Sequence, residues 1–184
     1  MACAIDNGRK DFSCKTSKGG LKNLYILKEY NADIKDDSTI AAGSMSASSS
    51  ANDVYKFELQ DDGNTFSESN EVSRTAGTSV FTPTGAFVLR RQDAATQDLL
   101  ENLSKMRAQV IIESHNGDFR LVGLENGVDF SIATTSGGAW SDMNGYNVTF
   151  TGAESSMAVY VASSLIGVGV SSFDVQSTVI DPNA

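Results

Sequence analysis

Histidine is the side chain from which acid–base and nucleophilic catalysis are most often built, and this sequence contains one, His115. It lies directly before Asn116-Gly117, a dipeptide typical of a tight hairpin turn. A catalytic dyad or triad needs a nucleophile, a base and an orienting group held together, so every such arrangement would have to centre on this turn. We therefore expect His115 to be polar surface, and we expect no enzyme activity.

Metal and cofactor sites are equally hard to build from these residues. Cys3 and Cys14 have no histidine near them, which is not the pattern of a zinc site. The acids at 36–37 and 61–64 lack the alternation and the terminal glutamate of a calcium loop. The stretch "GVGVSS" lacks the third glycine of a dinucleotide fingerprint, and no pair of acids stands out for glycosidase chemistry. The sequence predicts no metal and no cofactor.

Charge is unevenly distributed along the chain. The formal net charge is −9, which argues against wrapping DNA, since that needs a basic surface. Residues 1–35 carry seven Lys/Arg and four Asp/Glu, and all later residues carry seven against nineteen. A basic leading segment on an acidic body could dock onto a neighbouring copy, or it could simply be a solvated, charged terminus.

The chain carries no obvious targeting or membrane segment. Its longest strongly apolar run lies near "SSLIGVGVSS" and is far short of the roughly 18 residues that span a bilayer. The opening "MACAIDNGRKDF" has no apolar signal core, so we expect neither secretion nor membrane insertion. Reduced thiols are then the expected state of both cysteines.

Most of the chain is predicted to form short strands, and parts of it have the two-residue period of half-buried strands. Segments 53–60 and 146–152 show it, the latter as Tyr-Asn-Val-Thr-Phe-Thr-Gly. Segment 79–91 is predicted to be another strand, and 21–30 is either a strand, which its Tyr and Ile favour, or a short helix. We expect 65–74 to return beside 53–60 through a hairpin turn at "DDGN", and Pro83 indicates an edge strand or a bulge in 79–91. Asn116-Gly117 and Asn126-Gly127 are predicted turns between later strands.

One segment has a helical period instead. Asp93 can cap a helix that runs to about residue 109, because Leu99, Leu103, Met106 and Val110 form one apolar stripe. Residues 1–20 are polar and glycine-containing and are predicted to be an extended arm. The segment "AAGSMSASSSA" (41–51) is predicted to be a small-residue loop, either flexible or ordered by a partner.

These elements predict one domain over residues 1–184, mainly β, with one flanking helix. A single sheet of so many strands would leave open edges, so a β-sandwich or barrel-like closure is expected.

Several stretches together resemble a known family. They are "MACAIDNGRKDFSCKTSKGGLKNLYIL", "LRRQDAATQDLLENLSKMRAQVIIES", "LVGLENGVDFS" and "GGAWSDMNGYNVTFTGAE". In this order they resemble the major tail tube proteins of tailed bacteriophages, especially phages of Bacteroidetes-type hosts. The likeness covers nearly the whole chain and consists of hydrophobic and glycine positions without a catalytic signature.

The resemblance implies a structural role in the virion tail, after assembly in the bacterial host cytoplasm. Such proteins assemble as rings, usually hexamers, whose sheets join into a hollow barrel, and the rings stack into a tube. The partners would be further copies of the chain, other tail or neck proteins, and the genome DNA passing through the lumen without specific binding. An acidic lumen would repel that DNA.

The candidate interface residues are on three segments. They are Arg9, Lys10, Lys15 and Lys18 of the arm, Met45 of the small-residue loop, and Trp140 of a glycine-rich loop. Exposed, Trp140 would be an interface anchor, and buried it would be core. The alternatives are a head decoration, neck-ring or tail-terminator protein and, less favoured, a carbohydrate-binding β-sandwich module, which would need exposed aromatic platforms.

Overall fold

The computed structural model describes residues 8–11, 15–49, 51–60 and 63–181. This part of the chain forms one α-helix, α1 (Ala94–Lys105), and thirteen strands. The strands are β1 (Leu21–Leu27), β2 (Ser38–Ala41), β3 (Ser44–Ser48), β4 (Asn52–Glu58), β5 (Thr65–Ser73), β6 (Thr78–Arg90), β7 (Val110–Ser114), β8 (Phe119–Val122), β9 (Val128–Thr135), β10 (Gly145–Gly152), β11 (Val159–Val161), β12 (Ile166–Gly167) and β13 (Phe173–Val175). The predicted mainly β fold with two packed sheets and one helix is confirmed.

The strands form two sheets. Sheet A has nine strands in the order β12-β13-β4-β1-β7-β8-β11-β3-β2. Sheet B has four, in the order β5-β6-β10-β9, and every neighbouring pair in it is antiparallel. The chain crosses between the sheets four times, after β4, β6, β8 and β10.

Two hydrophobic clusters lie on the two faces of sheet A. The first fills the space between the sheets and includes Leu24 and Ile26 of β1 together with Phe87, Val148 and Phe150 of sheet B. The second includes residues from near both ends of sheet A, such as Met45 of β3 and Phe173 of β13. The Ser172 hydroxyl donates a 2.9 Å hydrogen bond to the Ser48 carbonyl, so sheet A curls almost into a barrel around this second cluster.

Strand β10 has the predicted alternation. Tyr146, Val148 and Phe150 are buried, whereas Thr149 and Thr151 are exposed. Gly85 of β6 lies opposite Phe150, and a Cβ there would overlap the phenyl ring. The glycine therefore lets the Phe150 ring lie flat over β6.

The helix is shorter than predicted. Asp93 is its N-cap, and the Asp93 carboxylate accepts a 2.8 Å hydrogen bond from the Thr96 N–H. It also accepts a hydrogen bond from the Thr96 hydroxyl. The hydroxyl bond and the N–H bond both lower the Asp93 pKa. The helix ends at Lys105, before Met106, and Val110 begins β7. Leu100 and Leu103 are the buried helix residues, and Leu99 is half-buried. The predicted stripe through Val110 is wrong because the chain leaves the helix to join sheet A.

The predicted small-residue loop at 41–51 is also wrong. Residues 38–41 and 44–48 form the antiparallel hairpin β2–β3, in which Ala42 and Gly43 turn the chain with positive φ. β3 also pairs in parallel with β11, where Met45 lies opposite Val161. Pairing with a distant strand, which small side chains permit, gives this segment its strand conformation.

Two further predictions, that 65–74 pairs with 53–60 and that Pro83 marks an edge strand, are wrong because the strands have other partners. β5 does not return beside β4, because β4 pairs with β1 in sheet A and β5 pairs with β6 in sheet B. Residues 61 and 62 of the predicted turn lie outside the described part. Pro83 is not on an edge strand, since β6 is internal to sheet B. It lies instead between the last β6–β10 ladder pair, at Thr84, and an isolated bridge at Phe81.

Candidate assembly surfaces

The face of sheet B that points away from the core carries mostly small, uncharged side chains. It carries the side chains that alternate with buried Phe87, Phe130 and Phe150. Its central rows, read across β6, β10 and β9, are Val88–Asn147–Ala133, Ala86–Thr149–Ser131 and Thr84–Thr151–Asp129. We call this surface, with the odd-numbered residues of β5 beside it, the outer face.

The outer face has few charges. Glu71 of β5, Asp129 of β9 and Arg90 of β6 are its ionisable side chains within the described strands, and together they sum to −1. Most of the net charge of −9 therefore lies elsewhere on the subunit. The surface offers hydroxyl, amide and methyl groups, which neither attract nor strongly repel a polyanion.

Sheet B has two lateral edges, β5 and β9. Val128 exchanges backbone hydrogen bonds with Ala108 at 2.8 and 3.2 Å on the side away from β10. Since backbone groups alternate in direction along a strand, Phe130, Ile132 and Thr134 also direct theirs away from β10. In the described part of the chain, Ala108 is the only residue bridged to this side of β9. Helix α1 also packs against β9, and its Leu100 and Leu103 belong to the cluster between the sheets.

The edge formed by β5 is bounded in the same way. The Asn64 carbonyl accepts a 3.3 Å hydrogen bond from the Leu21 N–H at the beginning of β5. The Phe81 N–H points to Glu154 on the β10 side, so the even-numbered residues of β6 face β5. The even-numbered residues of β5 therefore direct their backbone groups to the open side.

The end of the β5–β6 hairpin projects beyond the rest of sheet B. The ladder between β6 and β10 ends at Thr84–Thr151, whereas β5 and β6 continue pairing to Ser73–Thr78. Both faces of this projection are largely exposed. Val72 is 67% exposed and Val80 is 40% exposed, so the projection presents apolar side chains to solvent.

Trp140 is fully exposed, at 107%, in the loop between β9 and β10. The loop is nonetheless ordered: the Asp142 carboxylate accepts hydrogen bonds from the N–H groups of Ala139 and Gly138 at 2.7 and 2.8 Å. These bonds lower the pKa of Asp142. Gly137 adopts a positive φ of 68° beside Asp142. A hydrogen-bonded loop thus holds the indole in solvent. Of the two alternatives considered for Trp140, exposed or part of the core, the structure has the exposed one.

The basic arm residues Arg9, Lys10, Lys15 and Lys18 are all exposed. Described residues 8–11 and 15–20 form no helix or strand, and residues 1–7 and 12–14, with both cysteines, lie outside the described part. The arm is attached to the β7–β8 turn by Asn116, whose side chain accepts from the Lys18 N–H at 2.8 Å and donates to the Lys18 carbonyl at 3.0 Å.

Met45 is a misassigned interface residue. It is 0% exposed and lies in the second core cluster, because its side chain alternates with those of the exposed residues Ser44 and Ser46 on β3. A single methionine between serines is the pattern of a short strand that directs one apolar side chain to the core, and this pattern could have been recognised in the sequence.

A groove of about 240 Å³ opens between the sheets beside the first residues of β5. Its lining combines Leu21, Phe66 and Ile112 with polar residues that include Lys18 and Arg120. The Arg120 guanidinium lies 4.5 Å from the centre of the Tyr160 ring. The groove therefore has a mixed lining, in which these apolar side chains lie beside Lys18, Arg120 and the carboxylate of Asp118.

Two glutamates are buried in polar networks that sequence reasoning missed. Glu113 accepts hydrogen bonds from Asn23 at 2.6 Å, Lys22 at 2.8 Å and Tyr25 at 3.0 Å. Burial alone would raise the Glu113 pKa, but these bonds together hold it below its usual value. Burial and the Glu113 carboxylate raise the pKa of Tyr25. The second is Glu154, which accepts from the N–H groups of Glu125 and Asn126 in the β8–β9 turn. No local sequence signal marks either glutamate, because the donors are distant from it in the sequence.

His115 lies on the surface of the β7–β8 turn. His115 is exposed, as predicted, and its N–H donates to the Gly20 carbonyl at 3.4 Å. No helix in the described ranges is long and apolar enough to cross a membrane. The same ranges contain no group of three or more His, Cys, Asp or Glu side chains able to hold a metal ion.

Comparison with known proteins leaves the fold and these surfaces as the basis for inference. No protein-family model, no curated protein and no solved structure matches this chain.

Proposed function

We propose that this chain is a structural subunit of the tail tube of a bacteriophage, which forms rings that stack into a conduit for DNA. The observation that carries the proposal is sheet B, an antiparallel sheet with an outer face of small, mostly uncharged side chains. Its lateral strands, β5 and β9, each have only one paired side over most of their length in the described part of the chain. Together with the resemblance of the sequence to tail tube proteins, it supports assembly rather than catalysis.

Sheet B is suited to joining copies of itself head to tail. It has four strands that alternate in direction, so β5 and β9 are antiparallel to each other. In a ring whose copies share one orientation, β9 of each copy would meet β5 of the next as an antiparallel pair. Ring closure would then leave no sheet B edge open, which removes the aggregation hazard of unpaired strands.

The outer face would line the channel. A wall of Thr, Ser, Asn and Ala side chains with a net charge of about −1 per copy would let a DNA duplex slide without binding. The lumen would then be only weakly acidic and rich in hydroxyl groups. The remaining negative charge would lie on the outside of the tube and between rings.

Negative-stain electron microscopy of the purified protein over a range of concentrations tests the proposal. Long tubes are the expected result, whereas single rings would favour a neck or terminator protein. A protein that stays monomeric at every concentration would contradict assembly altogether.

A matched pair of variants makes the test specific to the sheet edge. Thr134→Pro removes a backbone N–H that points to the open side of β9, so it should abolish rings and tubes. Thr134→Ala removes the same side chain and keeps the N–H, so it should assemble like the unaltered protein. Both variants should keep their fold, because the lost N–H has no partner strand within the subunit.

A further inference from the structure

At one end of each lateral strand of sheet B, another segment of the same subunit already uses the outward backbone groups. This limits how two copies can pair. On β9, the Ala108 backbone occupies the groups of Val128, so a partner strand can bond only from Asp129 onward. On β5, Leu21 occupies the Asn64 carbonyl, so a partner can bond only to residues after it. The free stretches are therefore residues 129–135 and 65–73.

Side-chain direction restricts the register further. Odd-numbered residues point to the outer face on both β5 and β9, and even-numbered residues point to the core. An antiparallel junction that keeps both faces continuous must place odd residues opposite odd residues. Registers can thus differ only in steps of two residues.

One register pairs the most residues without running into Ala108. It places Ser73, the last residue of β5, opposite Asp129, and therefore Glu71 opposite Ser131. A shift of two residues one way would push Ser73 past Val128 and set Glu71 directly opposite Asp129, a destabilising like-charge pair. A shift the other way would lose one of the three hydrogen-bonded pairs.

The same register covers exposed apolar surface. It sets Val72 opposite Phe130 on the core side of the junction, and Val72 is 67% exposed in the single subunit. An aliphatic side chain beside an aromatic one is among the favourable cross-strand pairs. The projecting end of the β5–β6 hairpin would thus gain a partner on the neighbouring copy.

The resulting geometry is that of a closed barrel. Within one subunit, the row of paired residues that begins at Asp129 on β9 ends at Ser67 on β5. In the junction, Asp129 pairs instead with Ser73 of the next copy, six residues further along β5. Each subunit of four strands therefore shifts the register by six residues. With about 3.3 Å per residue and about 4.8 Å between strands, the strands tilt by roughly 45° from the ring axis. This lies at the upper end of the range seen in barrels, and it does not depend on the number of copies.

The register also places the Trp140 loop. The residues that follow Thr135 continue beside Phe66 and Thr65 of the next copy, where the 240 Å³ groove opens. Trp140 is fully exposed on a hydrogen-bonded loop, and the groove lining includes the apolar side chains of Leu21, Phe66 and Ile112. A buried tryptophan removes roughly 150–250 Å² from water, which makes it a strong anchor for an interface.

We propose that β9 of one copy pairs with β5 of the next in the register Asp129–Ser73 and Ser131–Glu71, and that Trp140 enters the groove lined by Leu21 and Phe66 of that neighbour. This inference rests on the proposed ring assembly. The partner at both sites is a second copy of this chain.

Disulfide cross-linking tests the register. In a background with Cys3 and Cys14 replaced by serine, Glu71→Cys with Ser131→Cys should give ladders of covalent oligomers after mild oxidation, because odd residues form the closer, non-hydrogen-bonded pairs. Ser69→Cys with Ser131→Cys is the matched control for the register shifted by two, and should give none. The paired strands lie at opposite edges of sheet B, so a link within one subunit is excluded.

Fluorescence tests the groove. Trp140 is the only tryptophan in the sequence, so its emission should shift to shorter wavelength when monomers assemble. Trp140→Ala should raise the concentration needed for assembly at least about tenfold, and Trp140→Phe should raise it less. An emission that stays at the wavelength of the solvated monomer in fully formed rings would overturn the groove contact.

The outcomes separate this inference from the proposed function. Rings or tubes that cross-link through Ser69→Cys instead, or through neither pair, would overturn the register while the tube assignment stands. Absence of any ordered assembly would remove the proposed function, and the junction with it.

Discussion

The Glu154 carboxylate accepts a 2.9 Å hydrogen bond from the Asn126 N–H, although the two residues belong to segments that lead to different sheets. Its other oxygen accepts from the Glu125 N–H at 2.9 Å, and the Asn126 side chain donates back to the Ala153 carbonyl at 2.7 Å. Glu154 also exchanges backbone bonds with Phe81 of β6. This residue therefore joins the β8–β9 turn to sheet B.

Ionisation of Glu154 should make stability fall with rising pH. Burial raises its pKa above the usual value of 4.5, although the two N–H bonds oppose the shift. An acid with a raised pKa in the folded state contributes stability below pH 4.5 that is lost as the pH rises through the folded-state pKa. Glu154→Gln should remove this contribution. Urea unfolding of both proteins between pH 4 and 8 measures it, and an unchanged difference across the range would contradict it.

Glu113 should show the opposite dependence. Its pKa is held below 4.5, so its contribution is present at neutral pH and is lost as the pH falls through the folded-state pKa. Glu113→Gln should therefore lower the free energy of unfolding at pH 7 by more than at pH 3.5. Tyr25→Phe, which removes one of the three donors, should cost about 1 kcal/mol at pH 7. A Glu113→Gln loss that is the same at both pH values would argue against this network.

Gly85→Ala should destabilise the subunit through the Phe150 ring. The added methyl group would overlap that ring, which is buried and also contacts Phe66 and Phe130. Overpacking of this kind costs about 1–3 kcal/mol. Thermal unfolding measures the loss, and Gly19→Ala, where a Cβ meets nothing within 4 Å, should leave the melting temperature nearly unchanged.

Met45 should matter for folding rather than directly for assembly. It is fully buried, so Met45→Ala should lower the free energy of unfolding by about 2–5 kcal/mol. Met157→Ala is the matched control, because Met157 is 59% exposed, and it should cost less than about 0.5 kcal/mol. Equal effects of the two substitutions in denaturant would restore Met45 as a surface residue.

Asn116 should control access to the basic arm. Its side chain bonds to the backbone of Lys18 on both sides, so Asn116→Ala should speed tryptic cleavage after Lys18 several-fold without unfolding the body. His115→Ala, one residue away, keeps these bonds and should leave the cleavage rate unchanged. Mass spectrometry of brief digests gives both rates, and identical rates would mean that Asn116 does not hold the arm.

The sequence predicted what local physics decides. Asp93 capping α1 and the Asn116-Gly117 turn depend on residues within a few positions, as does the alternation along β10. Strand partners depend on contacts across the whole chain: nothing near Phe57 indicates that β4 and β5 belong to different sheets. The Trp140 loop was recognised from its composition, but its exposure depends on the sheet that carries it.

The four crossings between the sheets have a consequence for how the subunit is made. Neither sheet is a continuous piece of chain, since β5, β6, β9 and β10 are separated by strands of sheet A. Contacts so distant in sequence form slowly and together. Sheet B cannot be complete until β10 has been synthesised, because β10 joins the β5–β6 hairpin to β9. Topology thus requires that most of the chain be made before sheet B can form, and any assembly through the edges of sheet B would follow folding.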